Sequence, residues 1–105
     1  MTVKTINIAK DYSRYPAGRY AKDGPASGED FREKFLIPAI AGNDEFIEVI
    51  FDGARGLASS FLEEAFGGLV RRGHSSEEVL RRFKFSAKDQ SIVEEVKSYI
   101  RAQQV

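Results

Sequence analysis

Residues 45–70 have the sequence EFIEVIFDGARGLASSFLEEAFGGLV, which predicts a strand, a loop and a helix in succession. The segment 45–51 is apolar on both faces apart from Glu48, as expected of an interior strand in a covered sheet. Beyond the loop 52–58 the apolar residues recur at helical spacing until Gly73 ends the helix. This unit predicts an α/β fold with the loop and the start of the helix at one edge of the sheet.

Strand and helix signals alternate over the rest of the chain. They predict strands at 2–9, 19–22 and 83–85 and helices at 27–42, 75–83 and 88–103, with 19–22 forming a hairpin with the first strand. Ser27 and Ser75 each open their helix with a capping box. The pattern predicts a single α/β domain over 1–105, in which about four helices pack on a mixed sheet of about four strands.

The composition excludes several classes of protein. Sixteen basic and sixteen acidic residues cancel, whereas nucleic-acid binders that work by bulk electrostatics carry a basic excess. The chain has no cysteine and one histidine, so disulfides, thiolate nucleophiles and the common zinc sites are not expected. The first seven residues lack the apolar core of a secretory signal, and no apolar run approaches the ~20 residues that span a bilayer. We therefore expect a cytoplasmic protein that binds neither nucleic acid nor membrane.

Ser60 has two candidate roles at the start of the helix after the loop. With Glu63 it forms a capping box, which predicts that its hydroxyl accepts a hydrogen bond from the first turn. Alternatively it is a phosphoacceptor, because the N–H groups and the positive dipole end of a helix favour a phosphate there. The like charge of Glu63 and Glu64 opposes that phosphate. Both roles fit the same oxygen atom.

Gly67 and Gly68 lie inside the same predicted helix, where each glycine costs about 1 kcal/mol relative to alanine. We expect a compensating close approach to the sheet or to a partner surface.

Asp52 followed by Ser59-Ser60 at a helix start resembles the strand–turn–helix of STAS domains, the fold of bacterial anti-anti-sigma factors. Their motif is Asp-Ser-Ser-Gly-Leu, and a partner kinase phosphorylates a serine at the helix start. This chain has Ala58 and Phe61 where the motif has the acidic residue and the glycine. Residues 14–19, 23–32 and 60–69 also resemble a family of small STAS-like proteins, and the similarity extends from about residue 10 to about residue 100.

The resemblance implies a STAS-like sandwich and a non-enzymatic regulatory domain of the anti-anti-sigma type, without a cofactor. It would dock a protein partner, such as a histidine-kinase-like ATPase, through the loop and helix at 57–69, and would be a monomer or weak homodimer. By the same resemblance Ser60, or Ser59, is the phosphoacceptor, and the expected partner contacts are Arg55, Ala58, Phe61 and Glu64. The alternative is a constitutive interaction module that uses the same face without phosphorylation.

Three further groups of residues have weaker functional interpretations. Arg14, Arg19 and Arg32 are candidates for an anion contact or for surface salt bridges. A catalytic triad of His74, Asp52 and one of the two serines lacks the Gly-x-Ser-x-Gly elbow. An enzyme would instead require an unusual carboxylate site, for example Asp52 with Glu63.

Overall fold

The computed structural model describes residues 2–103, in which three parallel strands form one sheet. The strands are β1 (Val3–Asn7), β2 (Phe46–Ile50) and β3 (Phe83–Ser86), in the order β1-β2-β3. In the register of the sheet, Ile6 lies beside Val49, and Val49 lies beside Phe85. The strand at 45–51 is therefore central, as its sequence predicts.

The predicted mixed sheet of four strands is corrected to three parallel strands within residues 2–103. Residues 19–22 do not form a strand, because a single 3₁₀ turn occupies Ala21–Asp23. The Asp23 carboxylate accepts a hydrogen bond from the Tyr20 backbone N–H at 3.0 Å, which closes this turn. Without that strand there is no hairpin, and helices connect the strands that remain, as parallel pairing requires.

Four helices pack with the sheet, two of them with a π-helical turn in the middle. Helix α1 covers 28–41, and its segments are Gly28–Phe31, the π-helical Arg32–Leu36 and Ile37–Ala41. Helix α2 covers 59–71, and its segments are Ser59–Leu62, the π-helical Glu63–Gly67 and Gly68–Arg71. Helices α3 (Ser76–Arg82) and α4 (Gln90–Ala102) follow, and a π-helical turn at Ile8–Tyr12 continues β1. No helix among residues 2–103 combines the length and apolar character needed to cross a bilayer.

The two ends of α1 are held by side chains. Ser27 is fully buried, and its hydroxyl accepts from the Asp30 backbone N–H at 3.0 Å, which confirms the predicted N-cap. Pro38 lies two residues after the end of the π-helical turn and donates no backbone hydrogen bond. At the other end the Arg82 guanidinium donates to the carbonyl oxygens of Ile40 and Asp44, each at 2.7 Å. The bond to Ile40 satisfies a carbonyl group that the end of α1 leaves without a helical partner.

The core lies on one face of the sheet, where the helices cover residues such as Ile6, Val49 and Phe83. The opposite face is open: Val3 is 54% exposed and Glu48 is half-buried. The prediction that both faces of the central strand are covered is therefore wrong for its outer face. Periodicity could not reveal this, because apolar side chains occur on both faces of β2.

Candidate functional site

The loop 52–58 lies at the carboxyl end of β2, and three hydrogen bonds fix it and the preceding Phe51 there. The Phe51 N–H donates to the Ser86 carbonyl at 2.9 Å, and the Arg55 N–H donates to the Arg14 carbonyl at 2.8 Å. The Asp52 carboxylate accepts from the Lys88 N–H at 3.0 Å. Because the loop is held there, Ser59 and Ser60, which follow it, lie at this edge of the sheet.

Helix α2 begins at Ser59, and Ser60 is not its cap. Ala58 occupies the N-cap position and provides only its backbone carbonyl, which accepts from the Leu62 N–H at 3.2 Å. The predicted capping box is wrong because distant arginines hold the Glu63 carboxylate. Ser59 is exposed and Ser60 is half-buried, so the two serines occupy the first helical turn without a capping role.

The four predicted partner contacts divide into two exposed and two buried residues. Arg55 and Ala58 are exposed. Phe61 is fully buried, with its ring centroid 5.8 Å from that of Phe31, and Glu64 is only 7% exposed. In this conformation neither Phe61 nor Glu64 is available to a partner, because both belong to the contact between α1 and α2. The resemblance to STAS domains assigned them an interaction role because they belong to the helix expected to dock the partner.

A buried ion pair joins α1 to α2. An Nη atom of Arg32 donates to the Glu64 carboxylate and to the Glu64 backbone carbonyl, each at 2.7 Å, and Nε donates to Glu33 at 2.8 Å. Burial lowers the pKa of Arg32, but its hydrogen bonds to Glu64 and Glu33 outweigh this effect and keep the pKa above its usual value. Arg32 is thus a charged residue of the interior.

Further ion pairs surround this one. Glu63 binds the guanidinium groups of Arg71, at 2.6 Å, and of Arg19, and accepts from the Gln103 amide at 3.0 Å. The hydrogen bonds from Arg71 and Arg19 hold the pKa of Glu63 below its usual value, against the opposing effect of burial. Arg19 and Arg32, two of the three predicted anion contacts, are therefore matched by carboxylates of the same molecule.

The glycines of α2 explain how Arg32 fits between the helices. A Cβ atom on Gly68 would overlap the Arg32 guanidinium and lie 3.0 Å from its Cζ atom. On the facing helix, a Cβ atom on Gly28 would overlap the Phe61 carbonyl oxygen. The close approach expected at Gly68 thus exists, but it is made to a side chain of α1 and not to the sheet.

The catalytic triad considered from the sequence is not assembled. Ser59 begins α2 and His74 lies beyond its end, and the two ends of α2 are about 18 Å apart at the rise of an α-helix. His74 lies 3.8 Å from Glu78, and Asp52 accepts from Lys88. No cluster of three or more potential metal ligands occurs among residues 2–103.

Two surface clefts formed by the described residues lie beside candidate functional residues. One, of about 600 Å³, lies between the end of α2 and the start of α3 and includes Arg71, His74 and Ser75 in its lining. The other, of about 260 Å³, lies at the carboxyl ends of β1 and β2; its polar lining residues are Asn7, Lys10, Arg14, Asp52 and Arg55. Arg14, the third predicted anion contact, therefore lies apart from Arg19 and Arg32.

Comparison with known proteins agrees with the resemblance inferred from the serine motif. The model of a family described as a STAS-like domain of unknown function (DUF4325) matches residues 27–92. No curated protein and no solved structure matches the chain. The family match covers β2, α2 and the loop between them, and the chain therefore belongs to this STAS-like family.

Proposed function

We propose that this protein is a regulatory domain of the anti-anti-sigma type, which binds a protein partner through one docking surface. This docking surface consists of the loop 52–58 and the first turn of α2, and it includes the exposed Arg55, Ala58 and Ser59 and the half-buried Ser60. The observation that carries the proposal is the position of the two serines. They lie at an accessible helix start beside the sheet edge, in a STAS-like chain, and neither caps the helix.

The start of α2 suits a phosphoserine at Ser60. A phosphate would add about two negative charges next to backbone N–H groups that donate to no side-chain cap. The carboxylates expected to repel it, Glu63 and Glu64, are each bound to arginines. Transfer of the γ-phosphoryl group from ATP to the Ser60 oxygen would release ADP and the hydroxyl proton. The partner we propose is a histidine-kinase-like ATPase that carries out this transfer and binds only the unmodified surface.

The alternative is a constitutive interaction module that uses the same surface. It is favoured by Ala58 and Phe61, which stand where the switch motif has an acidic residue and a glycine. Under this alternative the serines are accessible only because the helix begins there.

The test is a binding measurement with the cognate ATPase, combined with mass spectrometry after incubation with ATP. We expect a gain of one phosphate that Ser60→Ala abolishes, or that Ser59→Ala abolishes if the neighbouring hydroxyl is the acceptor. Ser60→Asp should weaken binding by about tenfold or more, because the added charge repels an acidic partner surface. Ser76→Asp is the matched control, since Ser76 is the first residue of α3, away from the docking surface.

The outcomes separate the two functions. If Ser60→Asp binds as tightly as the wild type while Ala58→Arg abolishes binding, the phosphoserine switch is wrong and the constitutive module is correct. If neither substitution changes binding, the docking surface itself is wrong.

A further inference from the structure

The cleft at the carboxyl ends of β1 and β2 collects positive charge from two separate segments. Lys10 and Arg14 follow β1, and Arg55 belongs to the loop after β2. The hydrogen bond from the Arg55 N–H to the Arg14 carbonyl, 2.8 Å long, ties the two segments together. The two arginines are therefore brought to the same cleft by backbone contacts that do not depend on their side chains.

These cations have no carboxylate partner within residues 2–103. Among residues 2–103, five arginines form ion pairs, namely Arg19, Arg32, Arg71, Arg72 and Arg82. Neither Arg14, Arg55 nor Lys10 takes part in an ion pair among the described residues. The single carboxylate of the cleft, Asp52, already accepts from the Lys88 N–H. The cleft thus has three cations and one anion, and its positive charge is not matched.

We propose that this cleft binds a phosphate group, as inorganic phosphate or as a phosphomonoester whose organic part extends into solvent. Arginine binds phosphate oxygens through two parallel hydrogen bonds, and lysine adds a point charge. The volume of about 260 Å³ is smaller than that of typical pockets for whole ligands, so it suits a single phosphate group. Ligands of parallel α/β sheets commonly bind outside the carboxyl ends of the strands, where this cleft lies.

This site shares Arg55 with the proposed docking surface but does not rest on the proposed regulatory function. It uses Lys10, Arg14 and Arg55, and it requires neither serine. It also corrects the grouping expected from the sequence, because Arg14 acts with Arg55 and not with Arg19 and Arg32.

The test is a titration with inorganic phosphate at constant ionic strength, followed by backbone amide NMR shifts. We expect saturable shifts at Lys10, Gly53 and Arg55, and a Kd that rises by about tenfold or more in Arg14→Gln/Arg55→Gln. The matched control is Arg81→Gln/Arg101→Gln, which removes the same charge from two exposed arginines elsewhere. Its Kd should stay within about twofold of the wild-type value. Thermal unfolding of both double variants should coincide with that of the wild type.

Further ligands identify the source of the phosphate and can refute the site. Tighter binding of a mononucleotide than of phosphate at the same residues would identify a phosphomonoester, and equal binding would identify phosphate itself. The proposal is wrong if acetate binds as tightly as phosphate, if both double variants lose binding equally, or if no saturable shift occurs. Ser60→Ala should leave phosphate binding unchanged, because neither serine lines the cleft. If phosphate does not bind, the docking surface can still be correct, since partner binding tests it separately.

Discussion

Replacement of Gly68 by alanine should destabilise the protein strongly, although alanine is the better helix former. The added Cβ would occupy the space of the Arg32 guanidinium and would lie 3.0 Å from Cζ and 3.1 Å from Cδ. Arg32 is 6% exposed and bound to Glu64, so it cannot move aside without losing its hydrogen bonds inside the core.

The magnitude follows from two opposing effects. Breaking a buried ion pair costs about 3–5 kcal/mol, because it leaves charges buried without partners. The helix propensity of alanine returns about 1 kcal/mol. We therefore expect the free energy of unfolding to fall by about 2–4 kcal/mol, measured by urea denaturation followed by circular dichroism.

The adjacent glycine provides the control. A Cβ on Gly67 would meet only the ends of partly exposed side chains, at 2.9 Å from a Glu63 carboxylate oxygen and 3.3 Å from the Gln103 amide nitrogen. These side-chain ends can shift. The free energy of unfolding of Gly67→Ala should therefore equal that of the wild type or exceed it by up to about 1 kcal/mol.

Two results would refute this explanation. The first is equal stability of Gly68→Ala and Gly67→Ala, because only Gly68 faces the buried guanidinium. The second concerns the double variant Arg32→Met/Glu64→Met, where an apolar pair replaces the ion pair. The explanation is refuted if Gly68→Ala lowers the free energy of unfolding of that variant as much as it lowers that of the wild type. Apolar replacement of a buried ion pair is often neutral or stabilising, so that background should fold.

Three further predictions concern stability and are measured by denaturant or thermal unfolding. Arg71 and Arg19 hold the pKa of Glu63 below its ordinary value of 4.5. The ionised Glu63 therefore adds to the free energy of unfolding above that pH, and this contribution is lost as the pH falls through the folded-state pKa. Glu63→Gln should therefore flatten the loss of stability below about pH 4.5, and a slope equal to that of the wild type would contradict the pairing. Ser27→Ala should cost about 1 kcal/mol as a lost N-cap, whereas Ser60→Ala should change stability by less than about 0.5 kcal/mol; equal costs would mean that Ser60 does cap α2. Arg82→Gln should cost about 2 kcal/mol through its lost bonds to the end of α1, and Arg81→Gln, at an exposed neighbouring position, should cost under about 0.5 kcal/mol.

Features that depend on a few neighbouring residues could be predicted from the sequence. The central strand, the helix positions and the caps at Ser27 and Ser75 are of this kind. The strand–loop–helix with its serine pair also identified the STAS-like family, because that motif is contiguous in the chain.

The candidate site was predictable in position but not in detail. Ser59 and Ser60 lie at the accessible helix start as expected. The predicted capping box at Ser60 is wrong because the carboxylate of Glu63 is bound by Arg19 and by Arg71, eight residues beyond Glu63. A capping pattern considers only residues within one helical turn, so it does not include competition from these arginines.

The sequence by itself determined the α/β class, the order of the main elements and the serine pair at the start of α2. Only the tertiary structure decided that Arg32 and Glu64, which are 32 residues apart, form a buried pair and that Gly68 makes room for it. It also decided that Phe61 is a core residue, that one face of the sheet stays open, and that Arg14 meets Arg55. The physical reason is that burial and charge pairing depend on which segments meet in space, whereas periodicity and capping depend on neighbours along the chain.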